Sequence, residues 1–503
     1  MRYARHMFDK IPNSKNQFLW TSLIRSHVLH GQFSRSILLY ARMHRKGVLP
    51  SRFTFSSVLN ACARLPALLE GKQVHARVIQ SGFLSNKVVL TALLDVYAKS
   101  GFVLDARKVF DMVDEKDIVS WTAMICGYTK MQMMGEARRL FDLMGEHNVV
   151  SCTAIVAGYA NSGEMEAAKK LYDRMVEKNS ITWVAMIAGY GKCGDVGEAR
   201  RVFDEIREPN SLCWAAMVAC YAQNGFAKEA IEMYEAMREE KVRITEVAMV
   251  GAISASAQLG DMEIANKLEQ HIEEGCCDRT VFVSNVLIHM HAKCGSKEQA
   301  WREFNKMKER DVISYSTMMS ALADHGESEE VLSLFLKMQK DGIKPNHVTF
   351  TTVLNACSRG GLVEEGCKHF KLMVKNFRIE PLREHLTCMV DLLGRAGKLG
   401  QAYDLVKEYT VATDAGVWTA LLGASKIHGN AELGEIAARH LFKMEPDNAG
   451  NLVLMANTYA SFDKWDKAET MRTMMSKYGE RKSAGCSWIS SLTQNEQMMG
   501  RSN

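Results

Sequence analysis

The stretch from Ile118 to Ile206 decides the fold, because one pattern recurs in it three times without a gap. Residues 118–130 read IVSWTAMICGYTK, residues 149–163 read VVSCTAIVAGYANSG, and residues 180–194 read SITWVAMIAGYGKCG. A second segment follows each of them: GEARRLFDLM at 135–144, EAAKKLYDRM at 166–175 and GEARRVFDEI at 197–206. Each unit is 31 residues long. Such a period indicates a tandem array of one small supersecondary unit.

Within a unit the apolar residues recur twice at helical spacing. In the unit from Ile118, Trp121 and Tyr128 share one helical face with Met124 and Ile125. We place a break around Gly135 and then a second helix. Its small residue and the bulky residue four positions later recur along the chain as Ala106, Ala168, Ala199, Ala230 and Ala300, and as Phe110, Tyr172, Phe203, Tyr234 and Phe304. One hairpin cannot bury its own apolar face, so stacked hairpins must form the core. The pattern predicts an all-α superhelical solenoid with an inner and an outer layer of helices.

The repeats occupy almost the whole chain. After a partial unit at 1–16, we predict twelve units over 17–414: 17–51, 52–86, 87–117, 118–148, 149–179, 180–210, 211–245, 246–280, 281–311, 312–346, 347–382 and 383–414. Residues 4–12 match the second helix of a unit, as at 106–113, so the chain starts inside a repeat. We therefore expect an incomplete N-terminus, with no visible targeting segment.

Composition excludes several classes of protein. No run of 18 apolar residues occurs among the 503, so we expect no membrane span. The 13 cysteines include no C-x-x-C pair, which argues against a zinc site and favours free thiols in a reducing compartment. The net charge of +5 is compatible with a polyanionic partner but too small to identify one.

Several short stretches distinguish between two families of helical hairpin. Tetratricopeptide repeats keep a period of about 34 residues and mainly bind peptides. Here DVYAKSG (95–101), HAKCG (291–295) and DLLGRAG (391–397) occur in units of alternating length. The chain resembles the pentatricopeptide repeat (PPR) family of land plants, in its P-L-S class. That resemblance implies a right-handed superhelical solenoid.

The C-terminal part refines the resemblance. Residues 414–430 (DAGVWTALLGASKIHGN) and 449–465 (AGNLVLMANTYASFDKW) resemble the two extension motifs of that class, which we place over 415–481. GCSWI at 485–489 is similar to the family segment that follows, within a short tail at 482–503. The resemblance is to the E subgroup, which has extension motifs but no DYW deaminase domain.

The resemblance implies that each unit binds one base of single-stranded RNA. The family reads the base with the fifth and the last residue of a unit. In this chain those residues are Thr21 with Ser51, Ser56 with Asn86, Thr91 with Asp117, Thr122 with Asn148, Thr153 with Asn179, Asn285 with Asp311, Ser316 with Asn346, and Thr387 with Asp414. The second residue sandwiches the base, here Phe18, Phe53, Val88, Val119, Val150, Ile181, Leu212, Val247, Phe282, Ile313 and Val348. Apolar residues near a helix start are also common in cores, so the pattern leaves both roles open.

By family analogy, a hydroxyl with Asp favours G, a hydroxyl with Asn favours A, and Asn with Asp favours U. Units 87–179 are thus predicted to read 5′-GAA-3′ and units 281–346 to read 5′-UA-3′, with a weaker G at the unit from Arg383. Val184, Ala215 and Val250 stand at the fifth position of the units between, which we expect to read nothing.

Many P-L-S proteins place a cytidine near a deaminase for C-to-U editing. Zinc deaminases need H-x-E and P-C-x-x-C; this chain has an H-x-E at His271–Glu273, which we interpret as chance, and no C-x-x-C. We therefore expect no enzyme, no cofactor and no metal. The favoured function is a site-recognition factor for editing in the mitochondrion or, alternatively, the chloroplast. It would act with a DYW-type deaminase and other editing factors supplied in trans. The alternatives are an organellar RNA binder acting on stability, splicing or translation, and a peptide-binding tetratricopeptide-like scaffold.

Overall fold

The computed structural model describes residues 16–65, 67–409, 414–446 and 448–477. Throughout those ranges the regular elements are α-helices, apart from one 3-10 turn at Phe83–Ser85. The chain divides into two compact units at Val286 and Leu287, inside the helix Val281–Lys293.

From residue 16 onward, the described part of the first compact unit contains eight helical hairpins. Their helices are α1 Gln17–Leu29, α2 Phe33–Arg45, α3 Arg52–Arg64, α4 Leu68–Gln80, α5 Lys87–Lys99, α6 Val103–Asp111, α7 Ile118–Lys130, α8 Met134–Leu143, α9 Val149–Ser162, α10 Met165–Arg174, α11 Ser180–Lys192, α12 Val196–Asp204, α13 Ser211–Gln223, α14 Ala227–Glu239, α15 Glu246–Leu259 and α16 Met262–Glu273. Helix α17, Val281–Lys293, contains the division.

The second compact unit continues the alternation. Its helices are α18 Lys297–Lys306, α19 Val312–Asp324, α20 Ser328–Lys340, α21 His347–Gly360, α22 Val363–Lys375, α23 Arg383–Arg395, α24 Leu399–Glu408, α25 Ala415–Ile427, α26 Ala431–Met444, α27 Ala449–Ser461 and α28 Trp465–Lys477. Odd-numbered helices are the first helices of hairpins and even-numbered helices are the second. The predicted all-α fold of tandem two-helix repeats is confirmed.

Aromatic residues of several second helices pack against the next hairpin. Phe203 of α12 meets Trp214 of α13 edge-on, with ring centroids 5.1 Å apart, and Phe110 meets Trp121 at 5.0 Å. Ala199, four residues before Phe203, is fully buried, so the backbones of its hairpin approach closely. Each core therefore lies between neighbouring hairpins rather than inside one of them, as expected for a stacked repeat array.

Neighbouring first helices also pack side by side. A Cβ atom placed on Gly189 of α11 would lie only 2.8 Å from the Cβ of Ala160 in α9. Glycine is required at this point because any side chain would push the two helices apart. Within each compact unit the first helices consequently form a layer whose side chains at equivalent positions stand in columns.

The predicted break in the unit from Ile118 needs one correction. Gly135 is not in the break but is the second residue of α8. The left-handed backbone conformation falls on Gln132 (φ 58°), whereas the next unit uses Gly163 (φ 82°). Because the connection between α7 and α8 is only three residues long, its central residue must turn the chain, whatever its side chain.

Some sequence predictions fall outside the described residues. They are the half-unit at 4–12, the GCSWI segment, and the tail at 482–503. Across the described ranges, no helix combines the length and the apolar character that crossing a bilayer would require.

Candidate nucleic-acid interface

The second residues of the first helices form an exposed apolar column. Their exposed fractions run from 49% for Val348 to 74% for Phe18. In the first compact unit the column consists of Phe18, Phe53, Val88, Val119, Val150, Ile181, Leu212, Val247 and Phe282, and in the second compact unit Ile313 and Val348 are exposed at the same position of their repeats. A place in the core, which the sequence left open, is thus excluded for these side chains. This arrangement places one exposed apolar residue in each repeat unit at regular spacing. It can therefore bind a chain-like ligand whose own apolar groups recur at the same spacing.

The last residue of most units caps the helix that begins the next unit; Leu382, at the end of the unit 347–382, has no side-chain oxygen to do so. The side-chain oxygen of a capping residue accepts a hydrogen bond from a backbone N–H of the first turn, as is typical of N-caps. The capping residues are Ser51, Asn86, Asp117, Asn148, Asn179, Asn210, Thr245, Asp311, Asn346 and Asp414. Sequence reasoning missed this role, although Asp, Asn, Ser or Thr directly before a helical apolar pattern is its ordinary signal.

Capping determines which atom of the last residue is turned away from the helix. Oδ1 of Asn179 accepts hydrogen bonds from the backbone N and from Oγ1 of Thr182, both at 2.9 Å. Oδ1 of Asn346 accepts the same pair from Thr349 at 2.9 and 3.0 Å. Within the described parts of the chain, Nδ2 of these two asparagines has no hydrogen-bond partner. An Asn therefore presents a donor outward.

An Asp in the same place presents an acceptor. Oδ1 of Asp117 accepts from the backbone N and Oγ of Ser120 at 2.8 and 2.7 Å, while Oδ2 lies 3.8 Å from Nζ of Lys87. Burial raises the pKa of Asp117, but the hydrogen bonds from Ser120 and the charge of Lys87 lower it more, so the pKa lies below its ordinary value. The carboxylate thus stays ionised at neutral pH.

The fifth residue of four units reaches the third residue of the next unit. The hydroxyl oxygens are 2.8 Å apart for Thr153 and Thr182, and 2.9 Å apart for Ser316 and Thr349. The other two pairs, Thr21 with Thr54 at 2.7 Å and Thr91 with Ser120 at 3.2 Å, differ because the fifth residue donates its proton to a backbone carbonyl, that of Gln17 and of Lys87 respectively. Because the third residue also bonds the capping residue, its hydroxyl joins the two predicted reading residues. Ser or Thr recurring at the third position was the available sequence signal for this bridge.

Three of the remaining polar fifth residues form no hydrogen bond with a hydroxyl of the third residue in the next unit. Thr122 Oγ1 is buried and has no hydrogen-bond partner among the residues that the structure describes, because Ser151 donates instead to the carbonyl of Asn148. Ser56 donates to the carbonyl of Phe53, and Thr387 to that of Arg383. Asn285 is buried, with 5% of its surface exposed.

The three units expected to read nothing differ at the third position as well. Val184, Ala215 and Val250 precede units whose third residues are Cys213, Ala248 and Val283. All three of these third residues are fully buried. The polar bridge is thus replaced by an apolar contact surface in the units where the fifth residue is apolar.

Two grooves lie between neighbouring second residues. A groove of about 740 Å³ is bordered by Val88 and Val119 and has Thr91 and Asp117 in its wall. The next groove, of about 400 Å³, is bordered by Val119 and Val150, with Thr122 and Asn148 in its wall. Lys99 lines both grooves and Lys130 lines the second; neither lysine was singled out from the sequence. The first groove also extends to Phe53 and Ser56, and Asp95 lines both grooves, where it pairs with Lys99 at 2.7 Å. Each groove combines apolar sides, a reading pair and lysines, which suits a base together with its phosphate.

The H-x-E motif at His271 lies in a packed interior, and a second H-x-E, His325–Gly326–Glu327, begins at the C-cap of α19. Nδ1 of His271 is 3.3 Å from the hydroxyl oxygen of Tyr234, and the two rings stack. Burial lowers the pKa of His271. Among the described residues, no three His, Cys, Asp or Glu side chains cluster so as to hold a metal ion.

Comparison with family models agrees with this architecture. Residues 15–64 and 310–359 match the PPR repeat family, and residues 428–490 match the E motif. Single PPR repeats match residues 88–118, 119–149, 150–180, 181–210, 212–242, 282–312 and 348–376.

Relatives in Arabidopsis thaliana match along nearly the whole chain. A putative pentatricopeptide repeat-containing protein is 52% identical over 97% of this chain and 89% of its own length. A putative chloroplastic member is 40% identical over 97% of this chain and 77% of its own length. A mitochondrial member is 34% identical over 97% and 61%, respectively.

Solved structures share the fold. The crystal structure of the pentatricopeptide repeat protein PPR10 from maize superposes with a TM-score of 0.58 at 18% identity, over 92% of this chain and 74% of that protein. PPR10 in complex with an 18-nt psaJ RNA element gives a TM-score of 0.53 at 15% identity, over 93% and 80%.

Proposed function

The chain belongs to the pentatricopeptide repeat family, and on that premise we propose that it binds single-stranded RNA sequence-specifically and marks sites of C-to-U editing in organellar transcripts. The observation that carries the proposal is the exposed apolar column of second residues, with a polar reading pair between successive members. Exposed aliphatic and aromatic side chains are costly in water, whereas unstacked bases gain from packing against them.

Electrostatics supports a nucleic acid over a peptide. Lys130 lies at the wall of the second groove, where a phosphate backbone would pass, and Lys99, which lines both grooves, is paired with Asp95 at 2.7 Å. An extended peptide would carry no regular negative charge for them to neutralise. The family membership likewise favours RNA over the peptide ligands of tetratricopeptide scaffolds.

The predicted RNA sequence follows from the outward atoms of the reading pairs. Asp117, Asn148 and Asn179 succeed one another, and with Thr91, Thr122 and Thr153 they favour 5′-GAA-3′ by family analogy. Three unread bases follow, and then Asn285 with Asp311 and Ser316 with Asn346 favour 5′-UA-3′. The unit with Thr387 and Asp414 adds a weaker G. The proposed element is therefore 5′-GAANNNUA-3′.

Editing is proposed to need a second protein. The match to the E motif at 428–490 supports the editing class, while the full sequence contains no C-x-x-C pair for a deaminase zinc site. A DYW-type deaminase and other editing factors would then dock on the extension motifs beyond residue 415. Relatives named mitochondrial and chloroplastic support an organellar location, the mitochondrion or alternatively the chloroplast.

RNA recognition is tested with purified full-length chain and short fluorescent RNAs. We expect 5′-GAANNNUA-3′ to bind at least about tenfold more tightly than the same RNA with GAA replaced by CCC, since each lost base contact costs about 1–3 kcal/mol. Equal affinity for the two RNAs would contradict base reading.

Editing is tested by sequencing the organellar transcripts of a plant that lacks the protein. We expect one or a few C-to-U sites to lose conversion, each with the proposed element just upstream. A chain without residues 415–503 should still bind the RNA but should not restore conversion. Normal editing at every site, with one transcript changed in abundance, splicing or translation, would point to the alternative function.

A further inference from the structure

We propose that the hydroxyl of the third residue in a unit is a positioning group that sets the hydrogen-bond polarity of the preceding unit's reading pair. The proposal rests on the proposed RNA-binding function and concerns residues such as Thr182 and Thr349. Each of these hydroxyls is fully buried, so it cannot contact a base itself. Instead, it forms hydrogen bonds with both residues of the reading pair, which would contact the base.

The direction of the hydrogen bonds follows from counting protons. Thr182 Oγ1 donates its single proton to Oδ1 of Asn179 at 2.9 Å. In the contact of 2.8 Å with Thr153 it can therefore only accept, so Thr153 must donate. The Thr153 hydroxyl then has only lone pairs left for the groove. Ser316, Thr349 and Asn346 repeat this arrangement.

This polarity fits the bases assigned by family analogy. With the fifth residue as an acceptor and Nδ2 of Asn as a donor, the pair complements the N6 amino group and N1 of adenine. Replacing Asn by Asp makes both members acceptors, which complements the two adjacent donors of guanine, N1–H and the N2 amino group. Without the bridging hydroxyl, the fifth residue could turn its proton outward and would act as donor or acceptor, so selection would weaken.

The chain contains repeat units with and without the bridging hydroxyl. The unit with Thr153 has it, in Thr182. The unit with Thr122 does not, because the hydroxyl of Ser151 donates to the backbone carbonyl of Asn148. Both units carry Thr with Asn. The unit with Thr122 should therefore select adenine less sharply than the unit with Thr153.

The silent unit from Ser180 offers a gain-of-function test. Its last residue, Asn210, already caps α13, with Oδ1 accepting from the backbone N of Leu212 and of Cys213 at 3.1 Å each. Only the two hydroxyls are missing, at Val184 and Cys213. Because Cys213 is buried against Asn210, a serine there would find both partners of the bridge.

The experiment measures affinities of full-length variants for RNAs that carry each of the four bases opposite one unit. In V184T/C213S we expect a new preference for adenine at the base directly after GAA. The affinity for that RNA should exceed the affinity for the other three by about 3- to 10-fold, which corresponds to the free energy of one hydrogen bond. V184T and C213S alone should discriminate less than about 2-fold there. An adenine preference in V184T as large as in the double variant would overturn the proposal while leaving RNA reading intact.

The loss-of-function arm uses the unit with Thr153. T182V keeps the shape of Thr182 and should reduce the preference for adenine about 3- to 10-fold, whereas T182S should retain it. A T182V variant that binds all four RNAs more weakly by one common factor would show a merely structural hydroxyl and would overturn the proposal. Absence of any base preference in the wild-type chain at this unit would instead refute the proposed function itself.

Discussion

Exchange of the last residue of one unit should change the base that is read without changing the fold. We choose Asn179→Asp, because Asn179 has a bridged partner, Thr153, and an outward Nδ2. In the wild-type chain, Oδ1 of Asn179 lies 2.9 Å from both the backbone N and Oγ1 of Thr182. Oδ1 of an Asp in its place can accept the same two hydrogen bonds. Since Asp and Asn are comparable N-caps, the free energy of unfolding should change by less than about 0.5 kcal/mol.

The binding effect should be much larger than the stability effect. The exchange turns one outward donor into an acceptor, so the preference at this unit should move from adenine to guanine. One mismatched contact is worth about 1–3 kcal/mol, which corresponds to a change of roughly 5- to 150-fold in the ratio of the two affinities. The added negative charge weakens binding of every RNA, but it cancels in that ratio.

The assay is competition binding with RNAs that differ only in the base opposite the unit 149–179. Asn179→Ala serves as the control, because it removes the cap and should cost about 1 kcal/mol of stability without creating a preference for guanine. If Asn179→Asp binds the four RNAs in the same order as the wild-type chain, Asn179 is only a cap and the reading pair is misassigned.

Four further perturbations test the core, the column, the cations and an ion pair. Phe203→Ala should lower the free energy of unfolding by about 3–5 kcal/mol in denaturant titrations, since Phe203 fills the space between two hairpins. Ile181→Ser should weaken RNA binding by about 1 kcal/mol with little change in the denaturation midpoint, because 62% of Ile181 is exposed. Lys130→Gln should weaken binding of all four RNAs equally and reduce the logarithmic salt dependence by about 0.7, if Lys130 neutralises one phosphate. Hydrogen bonds from Lys464 and Lys467 lower the pKa of Glu435 from 4.5 to about 2. The stability that this carboxylate contributes is therefore present above pH 4.5 and is lost as the pH falls towards 2, and thermal melts of Glu435→Gln should lack this loss.

The repeat pattern was sufficient to predict the helical hairpins because it is local. Helical spacing, the small residue and the bulky residue four positions later all lie within a few turns, so they can be recognised in a single unit. The turn between α7 and α8 is a point at which the prediction from local sequence was wrong. Glycine is the ordinary sequence signal for a turn, so the sequence predicted the turn at Gly135. In the structure, the connection has only three residues, and its central residue, Gln132, adopts the left-handed conformation.

The candidate interface depended more on the structure. Sequence and family analogy selected the second, fifth and last residues, and their roles in base recognition stay predictions. Their surroundings were not readable from the sequence. An apolar residue such as Ile181 near a helix start could be core or surface, and only the packing of neighbouring hairpins leaves it exposed.

By itself, then, the sequence determined the repeat, the two-helix unit, the columns of equivalent positions and the family, and the helix caps are equally local. The tertiary structure alone decided which column faces outward and that buried hydroxyls connect the reading pairs. The reason is distance along the chain. Thr153 and Thr182 are separated by 29 residues, and Ser316 and Thr349 by 33, so each bridge exists only where two hairpins stack.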